Sequence, residues 1–582
     1  MEHQDRDGVE MPADPGLRTT DHEPGSPATD RNPPNGGTRM AQVLAQHGCS
    51  HVFTLMGDGN MHFLTALQQE SIGIVEVRHE SAAVAMAEGF GWAKGSVAIC
   101  TVTHGPGFTH TATSLVVAAR NRSPLVLVVA ETSADYLGAQ RFDQMRFAEA
   151  CEVPYHRVRP GEDPAAALEN AMSAALRLTS PVILGVASDL FIAPAPAVGK
   201  RSGAYEIVAE VDREASSAAA DVILTALSTA RSPVFIAGRG LLRAKGTRPL
   251  TELAEHWGAA LATTVPAKGL FDGHPQNLGI SGGLSHVEAE TILKRADLVV
   301  AFGSSLDRGT TSSGRLFQRA RILQVIDETS AMASADNVTP LLAEAVATIE
   351  ELLAQARGPA RHPWFAPVPP DAECWAHDLK EFPTRPAAGS VDPRPSLAAL
   401  SRHLPADANV VVGNGHCSGF ATTFVDVPAD GRFFAAHGFG SIGQALPTAT
   451  GAALATPEKK TVVIEGDAAF MMHLAEADTV ARSGANLTVV VVNDGALGTE
   501  YQRLAFDDDH AELAVVGTPG LADAARALGA RIIVLADPRD TEQAVAAALE
   551  PGFVLLELRT DRAVLSRHMR WLHHARGVAS MD

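Results

Sequence analysis

The chain has 582 residues, of which 46% are hydrophobic and 20% charged, and a formal net charge of -20 at pH 7. That length calls for three or four domains, and the apolar share, with a mean hydropathy near zero, is that of a soluble globular protein. The acidic balance argues against a nucleic-acid partner and for a small-molecule enzyme kept in solution by self-repulsion.

Residues 1–37 are rich in Pro, Gly, Asp and Arg and nearly free of large apolar side chains. They cannot bury enough surface to fold and are expected to be disordered. They lack the apolar core of a signal peptide, and no later run is long enough to span a bilayer. From 38 to 195, apolar runs alternate with helical stretches, as in a doubly wound α/β domain. Gly57-Asp58-Gly59-Asn60 reads as a glycine turn in which Asp58 or Asn60 faces a ligand, or in which Asn60 caps the next helix. Val77-Arg78-His79-Glu80-Ser81-Ala82-Ala83 leads into a helix of small residues over 84–93, and an acidic residue is stabilising at such a helix start. Thr103-His104-Gly105-Pro106-Gly107 follows. In Gln140-Arg141-Phe142-Asp143-Gln144, Arg141 can hold a carboxylate in bidentate fashion or serve as a surface arginine.

This unit ends at the Pro-Ala-Pro-Ala stretch over 194–197. A second α/β unit covers 206–358, with strands expected at 233–237, 298–303 and 322–326. Gly238-Arg239-Gly240 after the first of these is a weak phosphate signal, since such glycines most often serve a strand-to-helix turn. Residues 359–396, proline-rich and without a sustained period, read as a connector. The third unit covers 397–566. In it, Gly438-Phe439-Gly440-Ser441-Ile442-Gly443 is a glycine turn before a long helix over 445–455. Residues 461–464 read as a buried parallel strand, 470–483 as a crossover helix and 487–492 as the next strand. A right-handed crossover sets the two strand ends side by side. Asp467, in Gly466-Asp467-Ala468, and Asp494 then meet at the carboxyl edge of the sheet, where open α/β sheets bind ligands. With a backbone carbonyl near Ala496 they offer hard oxygen ligands to a magnesium-type ion that also holds phosphate oxygens. The helix after Asp467 points its free N–H groups at the same spot. Taken singly, Asp467 also fits a helix cap and Asn493-Asp494-Gly495 a tight turn. The tail 567–582 carries His568, His573 and His574, either a solvated helix or metal ligands. Five scattered cysteines, Cys49, Cys100, Cys151, Cys374 and Cys417, show neither metal nor disulfide spacing, which suits a reducing compartment, the cytoplasm.

Three of these segments, in order along most of the chain, resemble the thiamin-diphosphate enzymes of the acetolactate synthase, pyruvate decarboxylase and benzoylformate decarboxylase superfamily. The segment from Gly466 to Asp494 is similar to a family motif that begins Gly-Asp-Gly and ends Asn-Asn. Here Ala468 removes a glycine, and Asp494 puts a carboxylate where an amide is usual, which keeps an oxygen ligand and adds charge. The resemblance implies that Glu80 hydrogen-bonds the aminopyrimidine and drives it to its imino tautomer, so that the cofactor can deprotonate its own thiazolium carbon. It implies that Ile442 wedges the cofactor into a bent shape and that the Gly440 carbonyl receives its 4′-amino group. His104 falls where benzoylformate decarboxylases carry a histidine, and Glu500 where pyruvate decarboxylases carry their catalytic glutamate; such a pair would suit stepwise protonation.

The expected fold is therefore three doubly wound α/β domains, pyrimidine-binding, central and diphosphate-binding, the outer two sharing one sheet topology. The expected cofactors are thiamin diphosphate and magnesium; FAD, which some relatives bind in the central domain, is not favoured. The expected function is that of an acetolactate-synthase-like carboligase acting on a 2-oxo acid through an enamine. The alternatives are a decarboxylase or lyase that releases an aldehyde, and a non-catalytic regulatory subunit, against which the retained Glu80 speaks. A homodimer or homotetramer with the active site at a subunit interface is expected, without nucleic-acid or membrane partners.

Overall fold

The computed structural model describes residues 34–132, 138–159, 161–195, 212–368, 379–380, 382–507 and 509–575. The first 33 residues, the linker after Ala195, Cys374, the tail beyond Ala575 and the side chains of His573 and His574 lie outside them.

The first sheet is built from β1 (His51–Leu55), β2 (Gly73–Glu76), β3 (Ala98–Val102), β4 (Leu125–Glu131), β5 (Tyr155–Arg157) and β6 (Pro181–Ala187) in the order β2-β1-β3-β4-β6-β5. The second contains β7 (Pro233–Ala237), β8 (Ala260–Thr263), β9 (Asn277–Ile280), β10 (Leu298–Phe302), β11 (Arg321–Ile326) and β12 (Val338–Leu342), ordered β12-β11-β10-β7-β8-β9. The third holds β13 (Asn409–Val412), β14 (Arg432–Ala435), β15 (Thr461–Gly466), β16 (Leu487–Asn493), β17 (Arg531–Leu535) and β18 (Val554–Arg559), ordered β14-β13-β15-β16-β18-β17. Renumbered from its own first strand, the third order is identical to the first. All strand pairs in the three sheets are parallel.

Parallel strands joined by helices are covered on both faces, so their sequences read as unbroken apolar runs. Leu125–Glu131 and Leu487–Asn493 follow that rule, with every residue from Leu125 to Glu131 buried. Alternate residues of one strand feed opposite cores. Val126 and Val128 join one cluster with Val52, Ile99 and Leu184, whereas Leu125 and Leu127 join another with Phe53, Cys100 and Ile183.

The helix expected over 84–93 begins at Glu80 and runs Glu80–Lys94, because His79 caps it by accepting the Ser81 N–H on Nδ1. It packs antiparallel against Ala445–Ala455, the helix at the equivalent place in the third domain. The contact is as close as backbones allow: a Cβ on Gly89 would lie 1.8 Å from the Thr448 carbonyl oxygen, and one on Gly451 would lie 1.9 Å from that of Met86. Neither helix has room to yield, since both are buried nearly along their whole length. Gly89→Ala is expected to destabilise the protein by at least about 3 kcal/mol, at the upper end of overpacking penalties, read as a fall in melting temperature.

The crossover after β15 departs from expectation. Instead of one helix over 470–483 there are two, Asp467–Met472 and Glu476–Arg482. The break frees Glu476 to accept the backbone N–H groups of Arg78 and His79, both at 2.9 Å, and so ties the third domain to the segment carrying Glu80. The central domain is tied to the third by Lys268, whose ammonium donates to the carbonyls of Thr422 (2.6 Å) and Val425 at the end of the helix His416–Phe424. Cations are favourable there because the last helical carbonyls lack intrahelical partners.

The turn Gly238-Arg239-Gly240 is filled by its own chain. A Cβ on Gly238 would strike the Gly303 carbonyl at 2.1 Å, and the N–H groups of Gly238 and Gly240 already donate to Phe302 and Gly303. These two donors are therefore already used within the chain. Among the described residues no helix is long and apolar enough to cross a membrane.

Candidate active site

The carboxyl edge of the third sheet gathers most of the residues singled out above. Ile442, Gly466, Asp467, Ala468, Asp494, Ala496 and Glu500 line one cleft, together with Asn414, Gly415, His416 and Cys417 from the end of β13. The alignment follows from register: Gly466 pairs with Val492, which brings Asp467 and Asp494 to adjacent strand ends. Asp494 folds back on its own turn and accepts the Ala496 N–H at 3.0 Å. Asp467 accepts the Thr518 hydroxyl at 3.0 Å, and Thr518 also reaches Asn493 at 3.2 Å.

Two neighbouring carboxylates in a buried cleft repel each other. Burial, and then the charge of Asp494, push the Asp467 carboxyl up to about 6. A divalent cation between them would relieve both effects, so the donor set fits a hard ion bound through carboxylate and carbonyl oxygens. His416 adds a second mark of a missing ligand. Its Nε2 accepts the Ser566 N–H at 3.2 Å, so the neutral ring carries its proton on Nδ1. That nitrogen is buried, makes no hydrogen bond and lies 3.8 Å from Asp494. A buried donor of this kind costs stability until an acceptor such as a phosphate oxygen arrives. The Cys417 thiol is raised by burial and then by Glu465, Asp494 and Asp467, which makes it an inert wall.

Sequence reasoning missed Asn414, His416 and Thr518. The polar run Asn414-Gly415-His416 directly after the buried strand Asn409–Val412 was the available signal. Thr518 carries none, since it comes from a loop and joins the site only through the fold. Gly440, at a φ of +74°, does not line the cleft; a Cβ there would have Asn414 Nδ2 as its one close neighbour, at 4.0 Å. Phe439 beside it is also left-handed and 61% exposed.

The other candidates belong to the first domain and stand apart from this cleft. Glu80 is buried and its Oε2 pairs with His110 Nδ1 at 2.9 Å. Its neighbour His79 meets the ring of His473, at the far end of the short helix that Asp467 begins. His104, on the loop after β3, pairs through Nε2 with Gln140 at 2.8 Å and lies 4.0 Å from Asp58. Asp58 accepts the Thr103 hydroxyl and keeps a 66% exposed carboxylate. Asn60 occupies the N-cap position of the helix Met61–Gln69, but its side chain makes no capping bond: it is fully buried, accepts the Gly57 N–H at 2.8 Å and donates to Thr54, closing the loop from inside. Arg141 is exposed, and Gln144 is buried with its amide on the Ala130 carbonyl.

The cleft on the third domain has room for about 50 Å³, far below the roughly 300–1,000 Å³ of complete small-molecule pockets. Glu80 is not among the residues that line it, so one chain presents only part of a site. A larger hollow of about 550 Å³ lies behind the same strand end, lined by Thr518, Arg526, Glu557, Arg559 and Arg562, but it lacks Asp467, Ile442 and Glu500.

Family comparisons agree with this division. Residues 34–150 match the thiamine pyrophosphate enzyme N-terminal TPP binding domain, 220–353 the central domain and 413–558 the C-terminal TPP binding domain. The chain is 27% identical to the acetolactate synthase of Mycobacterium bovis over 497 residues, covering 82% of this chain and 79% of that protein. It is 26% identical to the acetolactate synthase isozyme 3 large subunit of Escherichia coli K12 over 551 residues, covering 91% and 94%. To the putative thiamine pyrophosphate-containing protein YdaP of Bacillus subtilis 168 it is 24% identical over 477 residues, covering 80% and 81%. With three domain models matched in order, and a cleft whose buried donor and paired carboxylates suit a metal-bound diphosphate, the chain belongs to the thiamin-diphosphate enzyme superfamily and is an enzyme that forms or cleaves carbon–carbon bonds with that cofactor.

Proposed function

We propose that the protein is a carboligase that decarboxylates a 2-oxo acid and transfers the remaining fragment to a second carbonyl compound, giving a hydroxy-ketone. The observation that carries this reading is the convergence of Asp467, Asp494, Ala496, His416 and Ile442 on one cleft, with Glu500 at its rim. Asp467, Asp494 and the Ala496 backbone would hold a magnesium ion, and the His416 Nδ1–H would serve a diphosphate oxygen. Bound there, thiamin diphosphate supplies the carbon nucleophile and the electron sink that decarboxylation of a 2-oxo acid needs. Glu80 would hold the proton at the aminopyrimidine, and Ile442, which lines the cleft, would orient the ring. His104, buried and oriented by Gln140, and Glu500 move protons at the substrate.

Since Glu80 is not among the residues that line the cleft in one chain, the reading includes a second copy that completes each site, in a homodimer or homotetramer. The free cysteines Cys49, Cys100, Cys151 and Cys417 suit work in a reducing compartment such as the cytoplasm. The exposed first-turn carboxylate of Glu500 supports a second reading. An acid at the rim can protonate the decarboxylated fragment, which would make the protein a decarboxylase releasing an aldehyde.

The deciding experiment incubates the purified protein, thiamin diphosphate and magnesium with a panel of 2-oxo acids, with and without aldehyde acceptors, and follows carbon dioxide and products by mass spectrometry. Hydroxy-ketones are expected. Aldehydes alone would establish the second reading, and no turnover of any donor would overturn both. In the same assay His104→Asn is expected to lower turnover about 10²- to 10⁴-fold, the range for losing a general acid or base, while the affinity for thiamin diphosphate is retained.

A further inference from the structure

Outside the Asp467 cleft, one group of side chains has the chemistry of a second metal site. His79, Glu80 and His110 each offer a ligand atom, and these atoms all lie within 4.8 Å of one another. His110 Nδ1 is 2.9 Å from Glu80 Oε2, and the rings of His79 and His110 stack with centroids 4.9 Å apart, so at least one ring must turn for both in-plane nitrogens to meet one ion beside the carboxylate. A tetrahedral zinc holds nitrogen and oxygen at about 2.0–2.2 Å, which sets neighbouring donors about 3.3 Å apart. Binding therefore requires the ligand atoms, now within 4.8 Å of one another, to close in by up to about 1.5 Å. His110 is about half exposed, which gives an ion an entry path. Ser81 Oγ lies 2.7 Å from His79 Nδ1, the nitrogen that accepts the Ser81 N–H as the helix cap; binding an ion through Nε2 requires Nδ1 to take the proton, give up that cap and donate to Ser81 Oγ, the outer hydrogen bond that orients a ligating histidine.

We propose that His79, Glu80 and His110 form a binding site for a zinc-class divalent cation, and that its occupancy withdraws Glu80 from cofactor activation. Two imidazoles and one carboxylate select borderline metals such as zinc or cobalt, whereas the all-oxygen set of Asp467, Asp494 and Ala496 selects magnesium. The two sites therefore sort ions by softness and fill independently. Three protein ligands leave a fourth position open, as in zinc sites that exchange water or a competing ligand. The withdrawal of Glu80 rests on the role given to it above: a carboxylate oxygen bound to a cation no longer serves the aminopyrimidine.

The test uses the full chain, freed of metal by chelator and supplied with excess magnesium to fill the oxygen site. Titration with cobalt, followed by its visible absorption, is expected to reveal one more bound equivalent in the parent than in His110→Asn. Cobalt affinity at this site should drop at least about 10- to 100-fold in that variant, as even outer-shell losses do, with an unchanged circular dichroism spectrum. X-ray absorption of the zinc-loaded parent, which needs no variant, should give two imidazoles in the coordination shell. Equal cobalt binding by parent and His110→Asn, or zinc without imidazole scattering, would overturn the site. Zinc is further expected to slow hydrogen–deuterium exchange at the thiazolium carbon in the parent and to leave it unchanged in His110→Asn. Metal binding that is lost in His110→Asn but never slows that exchange would uphold the site and overturn the assigned role of Glu80.

Discussion

Glu80→Gln is expected to lower turnover about 10²- to 10⁴-fold, the usual cost of losing a positioned acid or base, and to leave thiamin diphosphate bound. Two arguments fix both halves of that result. Glutamine keeps the size and a hydrogen bond but cannot exchange a proton, so the aminopyrimidine loses the partner that sets its tautomer. The groups proposed to hold the diphosphate and the metal, Asp467, Asp494 and His416, belong to another domain and are untouched. Exchange of the thiazolium hydrogen in deuterated solvent, measured beside kcat, isolates the activation step. If the variant turns over within a few-fold of the parent, Glu80 is not the activating residue.

Glu465→Gln is expected to act in the opposite direction, raising stability by about 3 kcal/mol at pH 7. Glu465 ends the apolar run of β15, is fully buried and makes no hydrogen bond through either carboxyl oxygen. Burial pushes its carboxyl up to about 8. Unfolded, the same group titrates near 4.5. Below that pH both states hold the proton and the glutamate costs nothing on this account. Between about 4.5 and 8 the unfolded chain releases the proton and the native one keeps it, so native stability falls as pH rises. Above the folded value both states are ionised and the penalty levels off. Glutamine cannot ionise and escapes the whole loss. Calorimetric melting of the cofactor-free protein should give melting points that coincide below pH 4.5 and diverge toward pH 8. A constant gap would assign the effect to packing instead. A buried, unpartnered acid two residues before a proposed metal ligand is the kind of cost that active sites carry.

Much of this was legible in the chain because parallel α/β architecture ties chemistry to strand ends. The valine run over 489–492 and its neighbour at 462–463 had to pair in parallel through a right-handed crossover, and that alone brought Asp467 beside Asp494. Asn60 takes the N-cap position expected after a glycine turn, but its buried amide holds Gly57 and Thr54 instead of the helix N–H groups. The helix break between Met472 and Glu476 leaves no mark, since its cause is a contact with residues some four hundred positions earlier. Thr518 was hidden for the same reason: it meets Asp467 from a distant loop, and no spacing rule links the two. His416, the first residue of a helix, was signalled only by the polar run after β13.

The absence of Glu80 from the lining of the Asp467 cleft, with a second copy proposed to complete each site, has a genetic consequence. An assembly that builds each centre from two copies can be crippled by either of two lesions, one in each half, and partly rescued by mixing them. Chains carrying Glu80→Gln and chains carrying Asp467→Asn, each inactive alone, should restore activity when dissociated together and reassembled, since a mixed pair contains one centre with both original residues and one with neither. Co-expression of the two alleles should complement in the same way, and a single chain bearing both substitutions should poison its partner.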